Sequence, residues 1–409
     1  MRLLILTQYF PPEVGAPQNR LFELAVRLQK MGVDITVMTA MPNYPKMVIH
    51  EAYRGKKYVY EEMENLKIYR SSIYVTTDRS IINRLLNYFS FVLSSFRTGS
   101  RIEGEFDYVF CESPPLFLGI SAYFLAKKKK AKMIFNVSDL WPESAEKLGL
   151  VTNKLLLRVS TWLEEFLYRK SSIITGQTQG IVANIQNRFP KSKVVWLPNG
   201  VDLSYYDPSK YQSEWRKSVG LKQDDAVFLY AGIIGYAQGL DLLLDAANLL
   251  NEKSEIKIVL LGDGPEKERL IKKAVVMQLK NVLFFDPVPK SQMPAIIAAA
   301  NAAIIPLRRL DLFKGAIPSK IFEALAMQKP ILLGVEGEAK TLFIDDGQCG
   351  LFFTPESSHE LAESITYMCQ HPDEVKIWGE NARNYVDQKF NRNNIATDFY
   401  RLLTEVNSN

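Results

Sequence analysis

Cysteine and histidine are scarce in this chain. Three cysteines, Cys111, Cys349 and Cys369, and three histidines, His50, His359 and His371, are scattered through 409 residues. Neither set has metal-ligand spacing and the cysteines form no paired framework. A zinc site, a disulfide scaffold and a histidine-centred triad are therefore not expected, and a reducing, cytoplasmic setting is. Long apolar runs are also missing. No segment approaches the roughly 20 apolar residues that cross a bilayer, and the opening run, residues 1–6, is too short for a secretory signal and reads as a first strand. No Gly-x-Gly-x-x-Gly follows that strand. VGAPQNR stands there instead, which argues against a nicotinamide-dependent dehydrogenase. No Asp-x-Asp sits at a strand end, so no divalent metal or other cofactor is expected, and no zinc finger, recognition helix or aromatic RNA-binding signature points to nucleic acid.

What is present is a globular composition, 47% hydrophobic and 23% charged, long enough for two or three domains. Charge is uneven. Residues 1–200 carry 27 Lys+Arg against 17 Asp+Glu, a balance of +10, and the remainder carries 23 against 28, or −5. A basic first half suits an anionic substrate or an anionic lipid surface.

Strand-like runs alternate with amphipathic helical stretches from the first residue. RLLILTQYF, VDITVMTA, DYVFCES, KMIFNVSD, SSIITGQT and KVVWLPNG make one series, interrupted between residues 41 and 104 by a possible hairpin and a long aromatic helix. A polar stretch after Gly200 reads as a linker. The alternation then restarts with AVFLYAGII, KIVLLGDGP, NVLFFDPV, AAIIPL and PILLGV. This pattern predicts an α/β protein of two doubly wound, Rossmann-like domains facing each other across a cleft, with ligand loops at strand C-terminal ends. The expected boundaries are 1–205, 206–390, and a last helix within 391–409 that crosses back to the first domain.

Residues 314–332, KGAIPSKIFEALAMQKPIL, place Lys320 and Glu323 on one face near a helix start. A cation and exposed backbone N–H groups there suit a diphosphate, and a carboxylate suits sugar hydroxyls. The alternative is an ordinary surface ion pair.

The chain resembles the GT-B glycosyltransferases, specifically the retaining enzymes of family 4, over nearly its whole length. Six stretches in one order carry the likeness: QYFPPEVGAPQNRLFELAVRLQKMGVDITVMT, FNVSDLWPES, LPNGVD, YAGIIGYAQGLDLLLDA, LLGDGPEKERL and PSKIFEALAMQKPIL. Within the family, CESPPLFLGISAYFLA, SDLWPES and GYAQGLD resemble bacterial transferases of L-fucosamine or N-acetylhexosamine in O-antigen, capsule and exopolysaccharide assembly.

The resemblance implies a UDP-sugar donor, with Glu323 on the ribose and Pro318, Ser319 and Lys320 at the diphosphate. Gly15, Gly232, Gly235, Gln238, Gly262 and Asp263 would complete the donor loops, although turn glycines are the competing explanation. Two departures stand out. The first of the family's paired glutamates falls on Gly315, and the usual phosphate-clamp cations fall on Ile233 and Gln238. Lys320 is then the chief candidate for stabilising the leaving group, with Arg308, Arg309 and Lys314 close by in sequence.

Asp139 follows the strand KMIFNVS and would act on the acceptor hydroxyl, or cap the helix that follows, or both. Glu143 is the weaker alternative. Arg84, Phe89, Phe91, Phe96 and Arg97 form an aromatic stretch flanked by cations, and LFLGISAYFLA runs into Lys127 and Lys128. Both suit rest on an anionic leaflet, the inner face of the cytoplasmic membrane, where a polyprenyl-linked saccharide would be the acceptor. For LFLGISAYFLA a core helix ending in lysines is an equal alternative. Two other functions stay open: a nucleotide-sugar epimerase and a non-catalytic sugar-binding relative.

Overall fold

The structure is a computed structural model and describes residues 1–13, 15–78, 80–147, 151–211 and 214–408. The chain divides into two compact units: Met1–Asn199 with Ile395–Asn409, and Gly200–Asn394.

The first unit is built on eight strands: β1 (Arg2–Leu6), β2 (Asp34–Ala40), β3 (Tyr58–Met63), β4 (Leu66–Ser71), β5 (Tyr108–Ser113), β6 (Lys132–Val137), β7 (Ile173–Gly176) and β8 (Val194–Trp196). They are ordered β3-β4-β2-β1-β5-β6-β7-β8, all parallel except the hairpin partner β3. Order reverses between β1 and β5, whose register aligns Leu3 with Tyr108 and Leu6 with Cys111. In such sheets the ligand crevice opens beyond the strand C-termini at that reversal.

Strands covered on both faces are expected to be continuously apolar, and β1 shows why. Leu4 and Leu6 join Phe91, Leu125 and Leu167 on one face, while Leu3 and Ile5 join Leu21, Leu28 and Ile35 on the other. Successive side chains point to opposite faces, so both faces need a helical cover. Part of the second cover is the last helix, Arg392–Ser408. Its Phe399 meets Phe110 edge-on at 5.9 Å, and the Tyr108 hydroxyl donates to the Leu403 carbonyl at 2.8 Å.

The second unit holds β9 (Ala226–Ala231), β10 (Ile256–Leu261), β11 (Val282–Phe285), β12 (Ala302–Pro306), β13 (Ile331–Gly334) and β14 (Gly350–Phe352). All are parallel, in the order β11-β10-β9-β12-β13-β14. This is the doubly wound dinucleotide-fold order, with its reversal between β9 and β12. The loops leaving these two strands, starting at Gly232 and Leu307, therefore frame the expected ligand end of this unit. A cavity of about 730 Å³ touches Ala226, Asn301 and Pro330 at the opposite, N-terminal edge of the sheet and is no part of that end.

Candidate active site

In the second unit the loops after β9 and β10 pack backbone on backbone. Ile234 N–H donates to the Asp263 carbonyl at 2.8 Å, and Glu266 N–H to the Ile234 carbonyl at 3.1 Å. Gly262, at φ +148°, is required for this approach: a Cβ there would lie 1.9 Å from the Gly232 carbonyl oxygen. Gly262 thus holds two loops together, and what it contacts is protein backbone. Gly232 has φ +142°, and a Cβ on it would stand 2.9 Å from Lys320 Nζ. Gly15 and Gly235 are different. Both have extended backbone and face side-chain ends, of Gln18 and Gln238, so their conformations do not require glycine. The Asp263 carboxylate, exposed, accepts from Gly264 N–H at 2.8 Å and so braces its own loop.

Pro318 and Ser319 lead into helix Lys320–Ala326, whose inner face carries Ile321, Phe322 and Leu325. Lys320, in the first turn, points to β9. Its ammonium sits 3.7 Å from the centroid of the Tyr230 ring. Burial lowers its pKa to about 7, against the nearby charge of Glu323. Lys320 has no ion-pair partner among the described residues. Glu323 is half-buried, and burial pushes its carboxyl up, opposed by Tyr206 and the charges of Lys290, Arg392 and Lys320. The buried Tyr206 hydroxyl stands beside it.

Among the neighbouring cations, Arg309 pairs with Glu336 at 3.3 Å and Lys314 with Asp311 at 2.7 Å. Arg308 instead lies 3.6 Å over the Tyr236 ring and donates to the Tyr236 carbonyl, which fastens it to the loop that holds Gln238. Gly315 and Ile233 offer no charge, and Ile233 is largely exposed.

The first unit places a buried polar cluster at the ends of β5 and β6, next to its own reversal point. Arg20, from helix Ala16–Lys30, donates through Nη2 to both oxygens of Glu112 at 2.8 Å and to Ser138 Oγ at 3.0 Å. Ser138 Oγ donates to Glu112 at 2.5 Å, Asn136 to Glu112 at 2.7 Å, and Thr175 to Asn136 at 2.7 Å. Burial raises the Glu112 carboxyl, against the Arg20 charge and these hydrogen bonds. A buried ion pair this well satisfied fixes geometry more than it adds stability. What it fixes is Ser138, and hence the start of the Asp139 loop. Sequence reasoning missed this cluster. The available signal was a glutamate ending the otherwise apolar strand run YVFCES.

Asp139 is exposed, and Oδ2 accepts from the Ser144 hydroxyl at 2.8 Å. The helix-cap alternative is corrected here: the next helix, Glu143–Lys147, starts four residues later, and the side chain takes a hydroxyl rather than a backbone N–H. Glu143 pairs with Lys147 on the surface at 2.6 Å.

The aromatic helix Ile81–Gly99 also needs correction. Phe91, expected on a membrane side, has no exposed surface and belongs to the core with Leu118 and Leu125. Phe96 is half-buried, packed on that core and edge-on to Phe124 at 6.1 Å. The reason is periodicity: positions 88, 91, 92 and 95 face the sheet, while Ile82, Leu86, Phe89 and Leu93 face outward. Phe89 is 39% exposed and Leu93 66%. Arg84 lies off this stripe, in a cavity of about 400 Å³ with Tyr9, Tyr44, Asn87 and Tyr88. Helix Leu118–Lys129 packs beside it, burying Leu118 and Leu125, exposing Phe124 and stacking Lys127 over Tyr123 at 4.8 Å, while Lys128 is exposed at the helix end. Helix Lys154–Lys170 adds exposed Leu155, Val159 and Trp162, a stripe that sequence reading passed over.

Comparison with known proteins identifies this arrangement. Residues 18–205 match Glycosyltransferase Family 4, and residues 212–385 match Glycosyl transferases group 1. The chain belongs to the GT-B glycosyltransferases. It is 24% identical to WcaI of Escherichia coli K12, assigned to glycosyl transfer in colanic acid biosynthesis, over 98% of each chain. It is 21% identical to the O-antigen chain mannosyltransferase C of Escherichia coli, over 99% of each. The structure of Anabaena HepE in complex with UDP-glucose superposes with a TM-score of 0.72 at 17% identity, covering 99% of this chain and all of that one, a likeness of fold. Relatives of this GT-B chain are thus glycosyltransferases of polysaccharide and O-antigen biosynthesis.

Proposed function

We propose that this chain is a retaining glycosyltransferase that moves a sugar, an N-acetylhexosamine such as N-acetylfucosamine, from a UDP-sugar to a saccharide carried on a polyprenyl diphosphate. The reaction belongs to assembly of a cell-surface polysaccharide (O-antigen, capsule or exopolysaccharide), with the enzyme resting on the inner face of the cytoplasmic membrane. The observation that carries this reading is Lys320: a cation without an ion-pair partner among the described residues, desolvated against Tyr230 at the reversal point of the second sheet. A diphosphate is the ligand that such a group lacks.

As the bond from sugar to diphosphate breaks, negative charge collects on the leaving group. Lys320 and the first-turn N–H groups of its helix stabilise that charge without reorganising. Glu323 accepts hydrogen bonds from the ribose. Asp139 orients the acceptor hydroxyl and takes its proton, and same-face attack retains configuration without a covalent nucleophile. In this reading Lys320 supplies the charge for which other enzymes use a metal. The WcaI and mannosyltransferase relatives support the polysaccharide context, and HepE with UDP-glucose supports the donor class. No helix of the described residues is long and apolar enough to cross a membrane, so attachment in this reading rests on the basic first unit and its exposed apolar stripes.

A thermal-shift panel of nucleotides and nucleotide sugars tests the donor. UDP or a UDP-sugar at a hundredfold its Kd should stabilise the fold by about 2.7 kcal/mol, with ADP and GDP lagging. A panel in which no nucleotide moves the Tm would remove the reading.

A further inference from the structure

Beside the exposed stripe of helix Ile81–Gly99 runs a groove of about 630 Å³, bounded on its other side by the β3–β4 hairpin. Three cations line it, Lys57, Arg97 and Arg101, together with serine and threonine hydroxyls and the rings of Tyr58 and Tyr69. No aspartate or glutamate lines it, and among the described residues none of the three cations forms an ion pair. Such a concentration of unneutralised charge raises the free energy of the empty groove and favours an anion.

The groove also has an apolar continuation. Leu93 belongs both to its lining and to the outward stripe, Arg97 follows Leu93 by one helical turn, and Arg101 lies in the turn just past the helix end. A cationic subsite at the C-terminal end of this helix thus adjoins an apolar stripe along its outward face. That order matches one amphiphile: a phosphate held by the arginines, with its apolar portion running past Leu93 toward Phe89 and Leu86. Guanidinium forks suit phosphate oxygens.

We infer that this groove binds the phosphate headgroup of an anionic glycerophospholipid and so sets where the first unit docks on the leaflet. The inference rests on the membrane part of the function proposed above and adds a site to it. The same chemistry would admit the phosphate of the lipid-linked acceptor, and the experiment separates the two.

Flotation of the full chain with phosphatidylcholine vesicles, with and without phosphatidylglycerol, is compared for three proteins: wild type, Lys57→Gln/Arg97→Gln/Arg101→Gln, and Lys127→Gln/Lys128→Gln/Lys130→Gln. The last removes equal charge from another helix. The groove variant should keep its Tm and lose about tenfold or more in binding to anionic vesicles, given what each well-placed cation contributes near a charged surface. The control variant should lose about threefold or less. Equal losses would mean that diffuse charge, not the groove, does the binding, and would overturn the inference while leaving membrane docking intact. A wild type that ignores anionic vesicles at low salt would overturn both. In a second arm, neutral vesicles carrying polyprenyl phosphate should retain the wild type poorly. Strong retention there, lost in the groove variant, with none on phosphatidylglycerol, would overturn the bulk-lipid assignment in favour of the acceptor's own phosphate.

Discussion

Lys320 and Tyr230 form a cation–π pair, with the ammonium 3.7 Å from the ring centroid and no carboxylate in ion-pair range among the described residues. Its pKa of about 7 makes it a proton reporter. The value is lowered from the usual lysine range near 10, so the folded state carries a cost below pH 7 that is relieved as pH rises from there toward 10. A bound diphosphate must raise the pKa again. At pH 8, UDP binding should then take up as much as one proton, and affinity should fall as pH rises above 7. Calorimetry in two buffers of different ionisation enthalpy measures the uptake, and buffer-independent heats would contradict it. Lys320→Met should abolish the linkage, and Lys320→Ala should lower turnover by about a hundredfold, the usual effect of removing one preorganised donor.

The Arg20–Glu112 pair, with Ser138 hung from both, makes a prediction about stability and geometry together. Removing either partner alone strands a buried charge and should cost about 3–5 kcal/mol, whereas Arg20→Met/Glu112→Leu should cost far less than the sum. Denaturant melts of the four proteins close the cycle; additive losses would show that the pair is not coupled. If Ser138 positions the Asp139 loop, the double variant should bind UDP normally and still transfer slowly.

Asp139→Asn keeps an acceptor oxygen for the Ser144 hydroxyl, so the unfolding free energy should stay within the roughly ±0.5 kcal/mol typical of surface changes. Transfer should fall to background while the UDP thermal shift persists. An active Asn variant would show that the carboxylate serves only its hydrogen bond to Ser144.

Helix Ile81–Gly99 separates two kinds of aromatic residue. Phe91→Ser opens a cavity in the first unit's core and should cost about 3–5 kcal/mol. Leu86→Ser/Leu93→Ser touches only the outward stripe, leaving Phe89 on the core ring of Phe117 at 4.9 Å, and should melt normally but lose vesicle binding, with the remaining binding more salt-sensitive. Matching Tm losses in the two variants would place the stripe in the core.

Both sheets were legible in the sequence because parallel strands covered on two faces read as short, continuous apolar runs: AVFLYA, KIVLL and AAIIP could hardly be anything else. The spatial order of the strands, and with it the two reversal points, came only from the structure. What stayed hidden was tertiary. Arg20 and Glu112 are 92 residues apart, and nothing local announces their meeting. LLNYFSFVLSSF is apolar on nearly every side, so its pattern could not say that Phe91 points in while Phe89 points out. Lys320 read as a diphosphate cation or as half of a surface ion pair; only the fold, by laying its helix against β9, shows that its partner is the Tyr230 ring.

The helix Arg392–Ser408 joins the end of the chain to the first sheet through Phe399 and Leu403. During synthesis, therefore, the face that carries Leu3 and Ile5 stays partly bare until nearly two hundred further residues have left the ribosome. A fragment stopped at the linker inherits that bare face permanently. It should be sticky and prone to self-association, and supplying the missing helix as a separate peptide should restore its solubility.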